Sequence, residues 1–253
     1  MARALADVAH YLLPAAPPAA ATAARVAVPL APRDLARQAL LWNLAVESAR
    51  QGVPTALVAP PPEGCQPWPA AGRGPLGVEV VECPGGGLAA LADAAHRAAA
   101  RAGARSAAPP RVMVAVPPAE LRDAGGAADL LRRVLLLVRP GERERVETWD
   151  VLEAIAEQVP EARIGACVIG VRSLADARRT FEGLAALAER KLGRTLTSYG
   201  VLIDDVQLSR SIVSQRPIAL AQPASSAARA LADVAAMLRA DAREEEPVGD
   251  PEP

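Results

Sequence analysis

From Arg25 onward the chain alternates between two patterns of apolar residues. Short, nearly continuous apolar runs stand at 25–30 (RVAVPL), 54–59 (PTALVA), 77–83 (GVEVVEC), 111–116 (RVMVAV), 133–140 (RVLLLVRP), 163–171 (RIGACVIGV) and 197–203 (TSYGVLI). Their length and β-branched content predict buried strands. Between them lie longer segments with apolar residues three and four apart, at 34–52, 87–103, 142–158, 173–193 and 225–242. The first of these places Leu35, Ala39, Leu40, Trp42, Leu44 and Val46 at helical spacing and stops at Gly52, a C-terminal helix signal.

Apolar strands alternating with helices are strands covered on both sides. The expected fold is α/β, a doubly wound, mostly parallel sheet with helices on both faces. Such sheets bind ligands at the carboxyl ends of their strands. Function is therefore expected in the loops at 29–38, 59–64, 115–126, 139–143 and 170–173. The α/β domain is expected over 25–240. Residues 1–24 read as a short amphipathic helix followed by a Pro/Ala-rich linker. Residues 241–253 read as an acidic, Pro-rich, disordered tail.

The 253 residues are 51% hydrophobic but only 2% aromatic, so the core must be built from Ala, Val, Leu and Ile. A net charge of -1 offers no global basic field to nucleic acid or anionic membrane. No run of about 18 strongly apolar residues suggests a membrane helix, and the amino terminus lacks a signal-peptide core. A cytoplasmic location is expected. Cys65, Cys83 and Cys167 form no CxxC pair and read as small hydrophobes, with no disulfide or metal site. His10 and His96 read as isolated. The Gly-rich stretch at 82–91 reads as a plain loop and helix entry, and 123–131 (DAGGAADLL) as a mobile connector. The charge run at 139–147 reads as a solvated face, and Asp204-Asp205 as a turn. In the last helix, Leu231, Val234, Met237 and Leu238 form a stripe expected to pack on the sheet.

Several phrases carry a family resemblance. NLAVESARQGVPTALV is similar to the "NLA.ala..G..vllvD" run of MinD/ParA-type P-loop ATPases. ACVIGVRSLADARRTFEGLAALAERKLGRTLTSYGVLIDD is similar to that family's later strand, long helix and strand. SRSIVSQRPIALAQPASSAARALADVA resembles its ending. Within the family, the flagellar-number regulators of the FlhG/FleN type look closest. The resemblance covers about 25–240 and implies a P-loop NTPase-like fold. For partners it implies a protein: a true ATPase of the same fold or a flagellar or polar component, bound as a homo- or heterodimer.

The catalytic motif of that family departs here at nearly every position. Counting back without a gap from Asn43-Leu44-Ala45, its "GKGGVGKT" falls on residues 31–38. Pro32 takes the signature-lysine position, Arg33 and Asp34 the paired glycines, and Ala36 the last glycine. Arg37 takes the place of the phosphate-binding lysine and Gln38 that of the magnesium-binding Ser/Thr. A phosphate cradle needs inward-pointing N–H groups in conformations glycine reaches cheaply, and Mg²⁺ prefers compact oxygen ligands. The acidic run after the second strand falls on Ala59-Pro60-Pro61, the Asp of the later strand near Ala115, and the base-facing Asn on Gly170. The expectation is a pseudo-ATPase without cofactor, acting as a protein-binding regulatory module. The alternative is an ATPase using ATP and magnesium through an atypical loop built on Arg37. The expected partner surface includes Arg33, Arg37, Arg122 and Arg139.

Overall fold

A computed structural model describes residues 23–244, apart from 62, 64–66 and 107. The helix expected over 1–12, most of the linker, His10, Cys65 and the stretch 245–253 lie outside the described residues.

Eight strands form one sheet: β1 (Ala24–Pro29), β2 (Thr55–Ala59), β3 (Gly72–Arg73), β4 (Glu79–Glu82), β5 (Arg111–Val116), β6 (Arg133–Val138), β7 (Arg163–Val171) and β8 (Thr197–Ile203). Their order is β3-β4-β2-β5-β1-β6-β7-β8. Every pairing is parallel except the two-residue edge strand β3, which runs antiparallel to β4. The helices are α1 (Leu35–Arg50), α2 (Gly87–Gly103), α3 (Glu142–Gln158), α4 (Leu174–Leu192), α5 (Val206–Val213), α6 (Ile218–Ala221) and α7 (Ser226–Glu244).

The two-residue period of the strands divides the core. Val26, Val28, Leu57, Met113, Leu135 and Ile169 point to one side, where α1 and α7 pack on them. Ala27, Val58, Val112, Val114, Val134 and Leu136 point to the other, against α2, α3 and α4. Strands β1, β5 and β6 are apolar on both faces because helices cover both. The stripe Leu231, Val234 and Leu238 is buried in the first layer. Met237 is not part of it and stands 37% exposed.

Polar residues lock the connections. Asn43, buried in α1, donates to Ala39 O (2.8 Å) and accepts from the Ile218 N–H (2.7 Å), which pins α6 on α1. His96 is not isolated: its ring meets Arg25 at 2.7 Å and the Ala92 carbonyl at 3.0 Å. Cys83 and Cys167 are free thiols in the core, and burial pushes the Cys167 thiol up to about 12. The stretch expected as a mobile connector at 123–131 instead forms a 3₁₀ turn over Gly125–Leu131 that buries Ala127, Leu130 and Leu131. Gly86, at φ 97°, precedes α2 with no side-chain cap, consistent with a plain loop there. Helices α5 and α6 and strand β3 have no counterpart in the sequence reading, and α7 continues past residue 240 to Glu244. No helix among the described residues is long and apolar enough to cross a membrane.

Asp205 makes the turn after β8 a double cap. Its carboxylate accepts from the Gln207 N–H (2.8 Å) at the start of α5, and from Ser226 Oγ (2.7 Å) and the Ala227 N–H (3.1 Å) at the start of α7. The Ser226 hydroxyl, aided by these N–H groups, holds its pKa below the ordinary aspartate value against a smaller upward push from burial. A depressed carboxylate contributes stability that is present above its unfolded pKa and lost as pH falls through its folded pKa. Asp205→Ala should cost about 0.5–2 kcal/mol, the usual worth of a helix cap. Urea titrations on the acid side should show a flatter pH dependence for the variant.

Candidate functional site

The chain leaves β1 toward α1 on one side of the sheet, and leaves β6 toward α3 on the other. The carboxyl ends of these neighbouring strands are the switch point of the sheet, where doubly wound folds place ligands. A cleft of about 490 Å³ opens there, lined by Pro29, Ala31, Arg37, Leu136, Glu144 and Arg122, among others.

The loop between β1 and α1 is closed by its own side chains. Asp34 caps α1 by accepting from the Arg37 N–H at 3.0 Å. The Gln38 amide, 4% exposed, donates to Ala31 O (3.1 Å) and Pro32 O (2.7 Å). Backbone bonds Asp34 N to Ala31 O and Leu35 N to Arg33 O, both 3.0 Å, tighten the same turn. The side chain expected at the magnesium-ligand position therefore spends both its amide hydrogens on the loop itself.

Arg37 is the centre of the arrangement. Its Nε donates to Leu137 O on β6 (2.7 Å), Nη1 to Asp34 (2.7 Å), and Nη2 to Glu144 in the first turn of α3. Arg139, just past β6, adds looser contacts to Asp34 (3.6 Å) and Glu144 (3.9 Å). Two guanidiniums and two carboxylates thus tie α1, β6 and α3 together. Burial by itself would lower the pKa of Arg37. The hydrogen bonds and charges of Glu144 and Asp34 outweigh it and hold Arg37 above the ordinary arginine value.

The other expected positions surround this network without joining it. Pro32 and Ala36 are half-buried, and Arg33 is exposed and paired with Glu63 at 2.8 Å. Ala59 ends β2 and Ala115 is the next-to-last residue of β5, both buried among apolar neighbours. Gly170 has φ +66°, and a side chain there would lie against Arg139 and Asp204 at 3.8 Å. Arg122 is exposed at the rim and Arg139 is half-buried. Of the four arginines expected on a partner surface, Arg37 points inward, its side chain 14% exposed. The residue that sequence reasoning missed is Glu144. It lies in a run read as a solvated face, and that reading holds for Glu142, Arg143, Arg145 and Glu147, which pair with each other along the outside of α3. Only the register of α3 turns Glu144 inward, and no local signal in the run marks it.

No protein-family model matches the chain, and no curated protein matches its sequence. Solved structures do match its shape. The MinD cell division protein of Aquifex aeolicus superposes with a TM-score of 0.61 at 14% identity, covering 91% of this chain and 99% of that one. A chain of the MinC:MinD cell division protein complex of the same organism gives 0.61 at 15% identity, covering 91% and 98%. A ParA family ATPase from Chlorobium tepidum TLS gives 0.59 at 12% identity, covering 85% and 99%. The chain has the P-loop NTPase-like α/β fold of MinD and ParA proteins.

Removing the Arg37 side chain leaves Leu137 O, Asp34 and Glu144 without their donor. Such a loss costs about 1–3 kcal/mol for a half-buried group. Arg37→Ala should show that loss in urea denaturation. Arg37→Lys should recover less than half of it, because one ammonium cannot serve three separated acceptors with a planar fork.

Proposed function

We propose that the chain is a MinD/ParA-like pseudo-ATPase, a protein-binding regulatory module that works without nucleotide. The observation that carries this reading is the use made of Arg37 and Gln38. Arg37, the cation at the expected phosphate-binding position, is committed to two carboxylates and a carbonyl, and the would-be magnesium ligand is tied to its own loop. An incoming triphosphate would have to displace Asp34 and Glu144 from Arg37 and then sit beside their negative charges. A magnesium nucleotide does not fit that donor set. The loop also lacks the glycines that let backbone N–H groups face a phosphate.

The working surface in this reading is the face at the strand carboxyl ends, where Arg33 and Arg122 stand exposed and Arg139 half-exposed, with Arg37 holding the loop from behind. Such charges orient a complementary protein partner more than they add affinity. A true ATPase of the same fold and a flagellar or polar component are the partner types we favour. The role is placement of flagella, of a cell pole or division site, or of a partitioned cargo. The resemblance to flagellar-number regulators in the C-terminal half inclines the assignment to the first.

Calorimetry with ATP and Mg²⁺ tests the reading. The expected result is no binding heat, with a melting temperature unmoved by millimolar ATP or ADP, since a ligand that binds the native state must raise it. Micromolar binding that depends on Arg37 would overturn it in favour of an ATPase with an atypical loop.

A further inference from the structure

Helix α5 follows the edge strand β8 and packs on α6 and α7. Its inward side is ordinary: Leu208 and Ile212 are half-buried, and the buried Ser211 donates its hydroxyl to Leu208 O at 2.8 Å. Its outward side is not. Val206 stands 62% exposed and Val213 86%. Seven residues apart, they lie on one face of the helix, about 10 Å from each other along its axis. Arg210, also exposed, stands one turn after Val206 on the same face. Arg216 completes the surface, and the backbone bends to bring it there. Gln215 has φ 52°, the left-handed conformation that glycine usually takes after a helix. The Gln215 N–H donates to Ile212 O (3.1 Å) and the Arg216 N–H to Ser211 O (3.0 Å), the two bonds of a Schellman turn. Just beyond, the Ile218 N–H is fastened to the buried Asn43 side chain. The surface is therefore held in shape before any partner arrives, which lowers the ordering cost of binding.

Charge indicates what covers it. From Val206 to Ala232 the chain carries Arg210, Arg216 and Arg229 and no Asp or Glu. Neither Arg210 nor Arg216 has an ion pair or a side-chain hydrogen bond among the described residues. Asp205, the nearest carboxylate in sequence, is committed to the caps of α5 and α7. Asp204, exposed, flanks Gly170 together with Arg139. An apolar stripe beside unpaired cations fits a surface of opposite sign. A second copy on a two-fold axis would set these arginines against their own equals, a costly juxtaposition. A membrane-surface helix sets Trp, Phe or Leu against a Lys/Arg-rich polar face, and this face offers two valines and no aromatic residue.

We propose that the α5 face formed by Val206, Arg210 and Val213, with Arg216 at its end, docks an acidic amphipathic helix of another protein. The partner's apolar residues, spaced three, four and seven apart, pack along the two valines. Its Asp or Glu side chains accept charge-assisted hydrogen bonds from the two guanidiniums. The inference rests on the chain being a protein-binding module, and not on its independence from nucleotide.

The test uses the full chain, without nucleotide, and a synthetic peptide of about 20 residues, long enough to be helical by itself, with Leu at that spacing and Glu at the flanking positions. A second peptide carries Lys in place of Glu. Binding is followed by fluorescence anisotropy of the labelled peptides and by hydrogen exchange over 206–216. The Glu peptide is expected to slow exchange there and to bind about ten-fold more tightly than the Lys peptide, losing that advantage as salt rises. Arg210→Glu with Arg216→Glu should reverse the preference. Val206→Ser with Val213→Ser should abolish binding of the Glu peptide without moving the melting temperature. Unchanged exchange over 206–216, or equal binding of the two peptides, would overturn the proposal. So would dimerisation of the chain that Val213→Glu removes, which would place a second copy on the face, or binding to phosphatidylglycerol vesicles through the two valines with no binding of the Glu peptide, which would make it a membrane surface. None of these outcomes bears on calorimetry with ATP, so failure here leaves the nucleotide reading to its own test.

Discussion

The closure at the switch point of the sheet depends on one side chain, the guanidinium of Arg37. It joins the first turn of α1 to a backbone carbonyl of β6 and to the first turn of α3. Those three elements surround the switch point of the sheet. In a nucleotide-binding relative of this fold, the resemblance implies, a bound triphosphate supplies the negative charge that draws the same elements together. In the proposed function the side chains of Asp34 and Glu144 supply it through ion pairs. Because these carboxylates belong to the chain, they are present at every nucleotide concentration.

This explains why the frame survives without the glycines. Helix α1 still has to start at the end of β1 and cross to β2, since its buried face carries Leu40, Leu41, Trp42, Leu44, Ala45 and Val46 into one core layer. What changes is the means of closing its first turn. A glycine loop leaves backbone donors open for a ligand. The sequence Ala31-Pro32-Arg33-Asp34 closes the turn with backbone bonds, an aspartate cap and the Gln38 amide. Stiffness that a relative would gain on binding is built into the resting chain.

Much of the architecture is legible in the pattern of apolar residues. Strands β7 and β8 and helices α2 and α3 fall where that pattern puts them, because each buries a continuous face and ends at a turn residue. Helix α5 escapes it, being eight residues long with Gln207, Ser209, Arg210 and Ser211 among them; it forms because Asp205 caps it. Strand β3 is two residues on an edge, too short to show a period. At the site, the loss of glycines at 31–38 is visible in the sequence, since it depends on residue identity at consecutive positions. The Arg37–Glu144 pair is not, since the two lie 107 positions apart and meet only once β1 and β6 are neighbours. Nor does the sequence reveal that Arg37 faces inward, because a loop arginine carries no mark of the direction it takes.

A double-mutant cycle on Arg37 and Glu144, with Arg37→Ala, Glu144→Ala and the pair compared by urea denaturation, measures the closure directly. If Glu144 stands where a ligand's charge would, the two residues should couple by about 1–3 kcal/mol, well beyond the additivity of independent sites, and nucleotide should leave that coupling unchanged. Additive single-mutant losses, or a coupling that vanishes when ATP and Mg²⁺ are added, would contradict the account.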